Sequence, residues 1–268
     1  MAVPDSSEGH WLEGEEMSEK FRDKVVLVTG GSRGLGRAIC LGFAREGASV
    51  IVASRRIEAC EALAASIESE GGSALAHAAH MGRVEDLDAL IEASYQRFGR
   101  VDILVNNAGI NVAMGPLSEL SPEAFDKMVD VNLKGPWYLA SRLAPRMGEH
   151  GGGCVINMLS VAALTSPASM GMYAATKAAL KSLTEVMAQE WAPLHIRVNA
   201  LAPGSYHSDL TDGAIAAIPG YERGMVEAAL IPRIAETEEI LNPVFYLASE
   251  GYTTGITLVA DGGLMAKR

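Results

Sequence analysis

The sequence predicts an α/β fold, a single doubly wound parallel sheet, on three observations. Short strand-like runs near 24–29, 49–53, 73–79, 101–106, 153–157, 195–201 and 256–260 alternate with helical segments. Several of these runs are largely apolar, as strands covered by helices on both faces require. A glycine-rich turn joins the first run directly to a helical segment. With 268 residues, 49% of them hydrophobic, the chain is long enough to bury one substantial core. One domain over 21–268 is expected.

The first run, Lys24 to Val28, is apolar after its lysine and suits a buried strand. The turn Thr29-Gly30-Gly31-Ser32-Arg33-Gly34-Leu35-Gly36 follows, and Arg37 to Arg45 has helical character. Glycines at 30, 34 and 36 permit a tight backbone and the close approach of a pyrophosphate to the positive end of the helix. The spacing differs from G-x-G-x-x-G, and no Gly-Lys-Ser or Gly-Lys-Thr follows, so the turn is not a P-loop. The second run, Ala48 to Ala53, ends in Ser54-Arg55-Arg56. The third, Ser73 to Ala79, ends in His80-Met81, and the fourth, Val101 to Val105, leads into Asn106-Asn107-Ala108-Gly109. Val155-Ile156-Asn157 and Ile196 to Leu201 read as further buried strands, and the last run precedes Asp261-Gly262-Gly263.

Ser160, Tyr173 and Lys177 stand as Ser-(x)12-Tyr-x-x-x-Lys. Four residues along a helix place Tyr173 and Lys177 on one face, where an ammonium favours the ionised phenol. A phenol so tuned is an acid/base for a carbonyl oxygen.

Together these motifs resemble the short-chain dehydrogenase/reductase family from about Lys20 to Gly263. The match also includes Asn132 and Pro203-Gly204, all in the family's order. The resemblance implies a Rossmann-like NAD(P)-dependent oxidoreductase acting on CH–OH or C=O groups. It implies that Tyr173 is the acid/base, and that Lys177 lowers its pKa and holds the nicotinamide ribose. Ser160 would bind the substrate oxygen, and Asn132 would hold a water linking Lys177 to solvent. The cofactor would meet Gly30, Ser32, Arg33, Gly34, Leu35, Gly36, Ser54, Arg55, Met81, Asn107, Ala108, Gly109, Tyr173, Lys177, Pro203, Gly204 and Ser208. Residues from about 205 to 231 would form a small substrate lid.

Where an NAD-binding chain usually places an acid on the ribose 2′-hydroxyl, this one has Ser54-Arg55, with Arg33 as a second cation. A guanidinium suits a 2′-phosphate, so NADP(H) is expected over NAD. Two positions depart from the family pattern. His80-Met81 stands where an adenine-contacting Asp is usual. Ser208 stands where a Thr commonly binds the nicotinamide carboxamide.

The net charge of −11 disfavours nucleic acid or an anionic membrane as partner. Residues 1–20 carry Asp5, Glu8, Glu13, Glu15, Glu16 and Glu19 against Lys20 alone, and read as a flexible acidic extension. No apolar stretch is long enough to span a membrane. Cys40, Cys60 and Cys154 form no Cys-x-x-Cys pair and fit a reducing, cytoplasmic compartment. The six histidines form no His-Glu-x-x-His motif, so no metal is expected.

The 205–231 segment is rich in Ala, Ile, Leu and Met, which points to an apolar or alicyclic ketone or secondary alcohol as substrate. The same fold supports reduction of C=C bonds in enoyl thioesters, and a non-catalytic nucleotide sensor is a further alternative. The segments 136–147 and 174–188 carry more apolar surface than one sheet face needs. A second buried face is therefore expected; the family resemblance implies a homotetramer built through these two segments and the final strand with Asp261-Gly262-Gly263, a dimer being the fallback, with Leu180 as an interface residue.

Overall fold

The computed structural model describes residues 19–112, 114–249 and 251–267, so the acidic extension, apart from Glu19 and Lys20, lies outside the described residues. Seven strands form one sheet: β1 (Val25–Thr29), β2 (Ser49–Ser54), β3 (Ser73–Ala78), β4 (Ile103–Asn106), β5 (Gly153–Met158), β6 (Ile196–Pro203) and β7 (Thr257–Ala260). Every pairing is parallel and the spatial order is β3-β2-β1-β4-β5-β6-β7. All seven expected strands are present.

Ten α-helices follow in chain order among the described residues. They are α1 (Gly34–Arg45), α2 (Ile57–Ser69), α3 (Val84–Phe98), α4 (Pro122–Val129), α5 (Gly135–Glu149), α6 (Ala162–Thr165), α7 (Gly171–Trp191), α8 (Asp209–Ala217), α9 (Tyr221–Ala228) and α10 (Leu241–Ala248). β1, β4 and β5 are buried along nearly their whole length, because both faces of the sheet are covered. On one face Ile39, Phe43, Leu63, Ile67, Val244 and Leu247 pack on the sheet from α1, α2 and α10. On the other, Leu87, Leu90, Leu139, Leu143 and Met187 do so from α3, α5 and α7.

The chain reverses its direction of travel across the sheet between β1 and β4, and a crevice opens there at the carboxyl ends of the strands. A buried polar ladder crosses the sheet beside this point. Asn106 Nδ2 donates to Asn157 Oδ1 at 2.9 Å, and Asn157 Nδ2 donates to Thr184 Oγ1 at 2.9 Å. The ladder links β4 and β5 to α7, the helix that carries Tyr173 and Lys177. Leu180 corrects an expectation: it is fully buried against Ala200 and Ala202 of β6 and faces its own sheet.

Replacing Asn157 by Ala leaves the Asn106 amide and the Thr184 hydroxyl short of a partner in the core. The expected loss is about 1–3 kcal/mol, seen as a lowered midpoint in urea unfolding. An unchanged midpoint would remove the ladder from the account of how α7 is held.

Candidate active site

A cavity of about 680 Å³ lies over the carboxyl ends of β1 to β6. Its floor is the glycine turn. Gly30 has φ +66° and Gly34 φ +50°, left-handed values that favour glycine. A Cβ at Gly36 would stand 2.1 Å from the Gly30 carbonyl oxygen, so this position admits only hydrogen. Asn107 Nδ2 donates to Thr29 O at 2.9 Å, and the Ala108 amide donates to Thr29 Oγ1 at 3.1 Å, which locks the β4 loop onto the turn. The N-cap of helix α1 is Arg33, with no side-chain cap hydrogen bond and no acid in the first turn, so no carboxylate there offsets the positive end of the helix.

The end of β2 supplies Ser54, Arg55 and Arg56, and Ser32 Oγ donates to Ser54 Oγ at 2.9 Å. The end of β3 supplies Ala79, His80 and Met81. Every residue expected to meet a cofactor lines the cavity except Gly204. That glycine backs onto Asp261, whose Cα would lie 2.6 Å from an added Cβ. Ser208 lines the cavity but its hydroxyl caps α8, accepting from the Thr211 amide at 3.2 Å.

Tyr173 and Lys177 share one face of α7, and both are buried. Lys177 is only 2% exposed. Its Nζ donates to the Met158 carbonyl at 2.7 Å, and burial pulls its pKa down to about 8. Gly109 makes room for this amine, since a Cβ there would approach Nζ to 3.2 Å.

Burial pushes the Tyr173 phenol above its ordinary pKa, and a hydrogen bond with the Ser160 side chain pulls it back. This differs from the expectation of a phenol lowered by Lys177, whose Nζ lies 6.0 Å from the ring centroid. Burial dominates because phenolate, like ammonium, is costly to desolvate. Ser160 does not line the cavity, but its Oγ also accepts from the Ala162 amide at 3.1 Å, which fixes it at the head of α6.

Asn132 is fully buried and does not line the cavity. It sits in a π-helical turn, Asp130–Lys134, between α4 and α5. Its Oδ1 accepts from the Ile110 amide at 2.8 Å, and its Nδ2 donates to Ile110 O at 2.8 Å and Thr176 Oγ1 at 3.3 Å. The side chain therefore clamps the loop after β4 to α7.

Sequence reasoning missed Arg56, Ala79, His80, Ile110, Lys127, Val131 and Met158 as lining residues. His80 and Arg56 adjoin positions that the motifs single out. Lys127 carried no signal, because only the fold brings α4 beside the end of β3.

A family profile described as short chain dehydrogenase matches residues 24–217. The human protein "Dehydrogenase/reductase SDR family member 4" is 35% identical over 247 residues, covering 91% of this chain and 88% of that protein. An L-rhamnose 1-dehydrogenase (NAD(P)(+)) from Azotobacter vinelandii is 36% identical, covering 90% and 96%. A cyclohexanol dehydrogenase from an Acinetobacter species is 34% identical, covering 94% and 98%. The crystal structure of a short-chain type dehydrogenase/reductase from Mycobacterium marinum superposes with a TM-score of 0.86 at 31% identity, covering 91% and 96%.

Asn132→Ala removes both partners of the Ile110 backbone. We expect a stability loss of about 1–3 kcal/mol, or roughly 2–8 °C in Tm by calorimetry, together with weaker cofactor binding. A variant with wild-type Tm and affinity would show that the clamp is dispensable.

Proposed function

From the premise that the chain belongs to the short-chain dehydrogenase family and is an NAD(P)-dependent oxidoreductase of CH–OH and C=O groups, we propose that it works with NADP(H) on an apolar or alicyclic ketone or secondary alcohol. One observation carries the cofactor choice. Arg33, Arg55, Arg56, Lys127 and Lys177 all line the cavity and, among the described residues, no carboxylate does, in a chain of net charge −11. Five cations suit a dinucleotide with an additional 2′-phosphate. The 2′-phosphate would lie against Ser54, Arg55 and Arg33, and the pyrophosphate against the open N-terminus of α1.

Bound NADPH supplies the hydride. The chain manages the proton: Tyr173 donates it to the carbonyl oxygen in the reductive direction and takes it back in the oxidative one. Ser160 holds the same oxygen and, through its hydrogen bond to the phenol, offsets part of the penalty that burial places on phenolate. Lys177 holds the nicotinamide ribose. Asn132 keeps the loop after β4 and α7 in register.

The substrate reading rests on apolar surface near Tyr173. Val112, Met114 and Leu117 are exposed in the loop after β4, and Ile218 is exposed between α8 and α9. The segment from about 205 to 231 would serve as a lid carrying these two short helices. The 34% identity to a cyclohexanol dehydrogenase supports an alicyclic substrate.

Phe125, Trp137 and Val186 are exposed on α4, α5 and α7, and Tyr246, Ile256 and Val259 on or beside the edge strand β7. Two such faces support a homotetramer with closed symmetry. Three buried free thiols support residence in a reducing compartment, taken as cytoplasmic. No helix among the described residues is long and apolar enough to cross a membrane.

Tyr173→Phe keeps the ring and removes the proton donor, so kcat should fall at least ~10²-fold with NADPH binding retained. Turnover above about a third of wild type, where chemistry limits the rate, would rule out the acid/base role. Arg55→Asp should weaken NADPH binding roughly tenfold to a hundredfold and NADH binding much less, by fluorescence titration. Tighter NADH than NADPH binding in the unaltered chain would overturn the cofactor choice. Light scattering should give the mass of four chains, reduced by Trp137→Glu, whereas a single-chain mass would contradict the assembly.

A further inference from the structure

The order of groups along the cavity fixes where the purine of a bound dinucleotide must lie. Tyr173 and Lys177 mark the nicotinamide end, the glycine turn marks the pyrophosphate and the end of β2 marks the second ribose. The base would therefore lie over the end of β3, where Ala79, His80 and Met81 line the cavity together with Lys127 and Val131.

The imidazole of His80 is fixed in that slot. The Gly82 amide donates to its Nδ1 at 3.0 Å, so the neutral ring carries its proton on Nε2. Gly82 has no side chain to displace the ring: an added Cβ would come within 3.2 Å of Cε1. The His80 amide donates to Asp86 Oδ2 at 2.9 Å, anchoring the residue to the first turn of α3. Lys127 is exposed, one helical turn before Val131.

Both polar side chains at this end are thus hydrogen-bond donors. The nearby carboxylates have other partners: Asp86 accepts from the His80 amide, and Asp130 accepts from Lys134 at 3.3 Å. Neither lines the cavity. Adenine in a dinucleotide has one hydrogen-bond donor group, its 6-amino group, and no side chain here offers it an acceptor. A 6-oxo purine presents an acceptor at the same position and carries its own donor at N1–H, which no side chain at this end accepts either.

We propose that His80, with Lys127, makes the base end of this site a donor-only slot that does not select a 6-amino purine over a 6-oxo purine. A nicotinamide hypoxanthine dinucleotide would therefore bind about as well as its adenine counterpart. This inference rests on the dinucleotide site described above but not on which nicotinamide cofactor is preferred.

Calorimetric titration of the full chain with NADPH, NADH and the reduced hypoxanthine analogue of each tests it without any turnover. The expected result is an adenine preference of less than about fivefold within each pair, less than one well-made hydrogen bond to a discriminating acceptor supplies. His80→Asp places an acceptor in the slot and should shift the ratio about tenfold or more toward adenine. Lys127→Glu, on an exposed helix face, should shift it in the same direction and guards against misfolding of the first variant. An adenine preference of about fivefold or more in the unaltered chain, or ratios unmoved in both folded variants, would overturn the proposal. Failure of every dinucleotide to bind would instead overturn the cofactor site itself, and tighter NADH binding only the choice of NADP(H).

Discussion

A buried amine governs the arrangement of this site. Lys177 is 2% exposed, and the Met158 carbonyl at the end of β5 accepts from its Nζ. An ammonium out of water is stable only where acceptors are supplied and clashes removed, which is why burial lowers its pKa to about 8. The last carbonyl of β5, the missing side chain at Gly109 and the Asn106–Asn157–Thr184 ladder beneath α7 together meet that demand. Because Tyr173 is on the same helix face, whatever fixes Lys177 also fixes the phenol.

The opposite wall of the cavity obeys a different constraint, that of close backbone approach. Gly36 packs on the Gly30 carbonyl, and Asn107 joins both to β4, so β1, its turn and the β4 loop form one rigid floor. Rigidity matters because a site built on strand ends holds its donors in place before a ligand arrives, and reorganisation costs affinity. Asn132 extends this floor to α7 through Ile110 and Thr176. The π-helical turn there is the backbone adjustment that accompanies the inward asparagine.

Charge is distributed unevenly between surface and cavity. The chain as a whole carries a net charge of −11, while among the described residues the cavity gathers five cations and no carboxylate. Such a separation concentrates positive potential where low-dielectric walls focus it, which favours a polyanionic ligand over the neutral substrate that must enter beside it.

Much of this was legible in the sequence. Strand runs, the glycine turn and the Tyr173–Lys177 spacing are local patterns, because apolar periodicity and glycine torsions act over a few residues. All seven strands appeared near the expected positions, and most of the motif residues line one cavity. What depends on distant neighbours was not legible. Leu180 is a core residue because β6 lies under it, and Asn132 is a clamp because the loop after β4 folds back onto it. Lys127 reaches the cavity only because α4 packs beside the end of β3. Burial pushes the phenol's pKa up and the amine's down, and no spacing encodes burial. The sequence by itself therefore determined the order of elements and the chemical types at the site. Only the tertiary structure decided which groups are desolvated and which meet, because both depend on contacts between residues far apart in the chain.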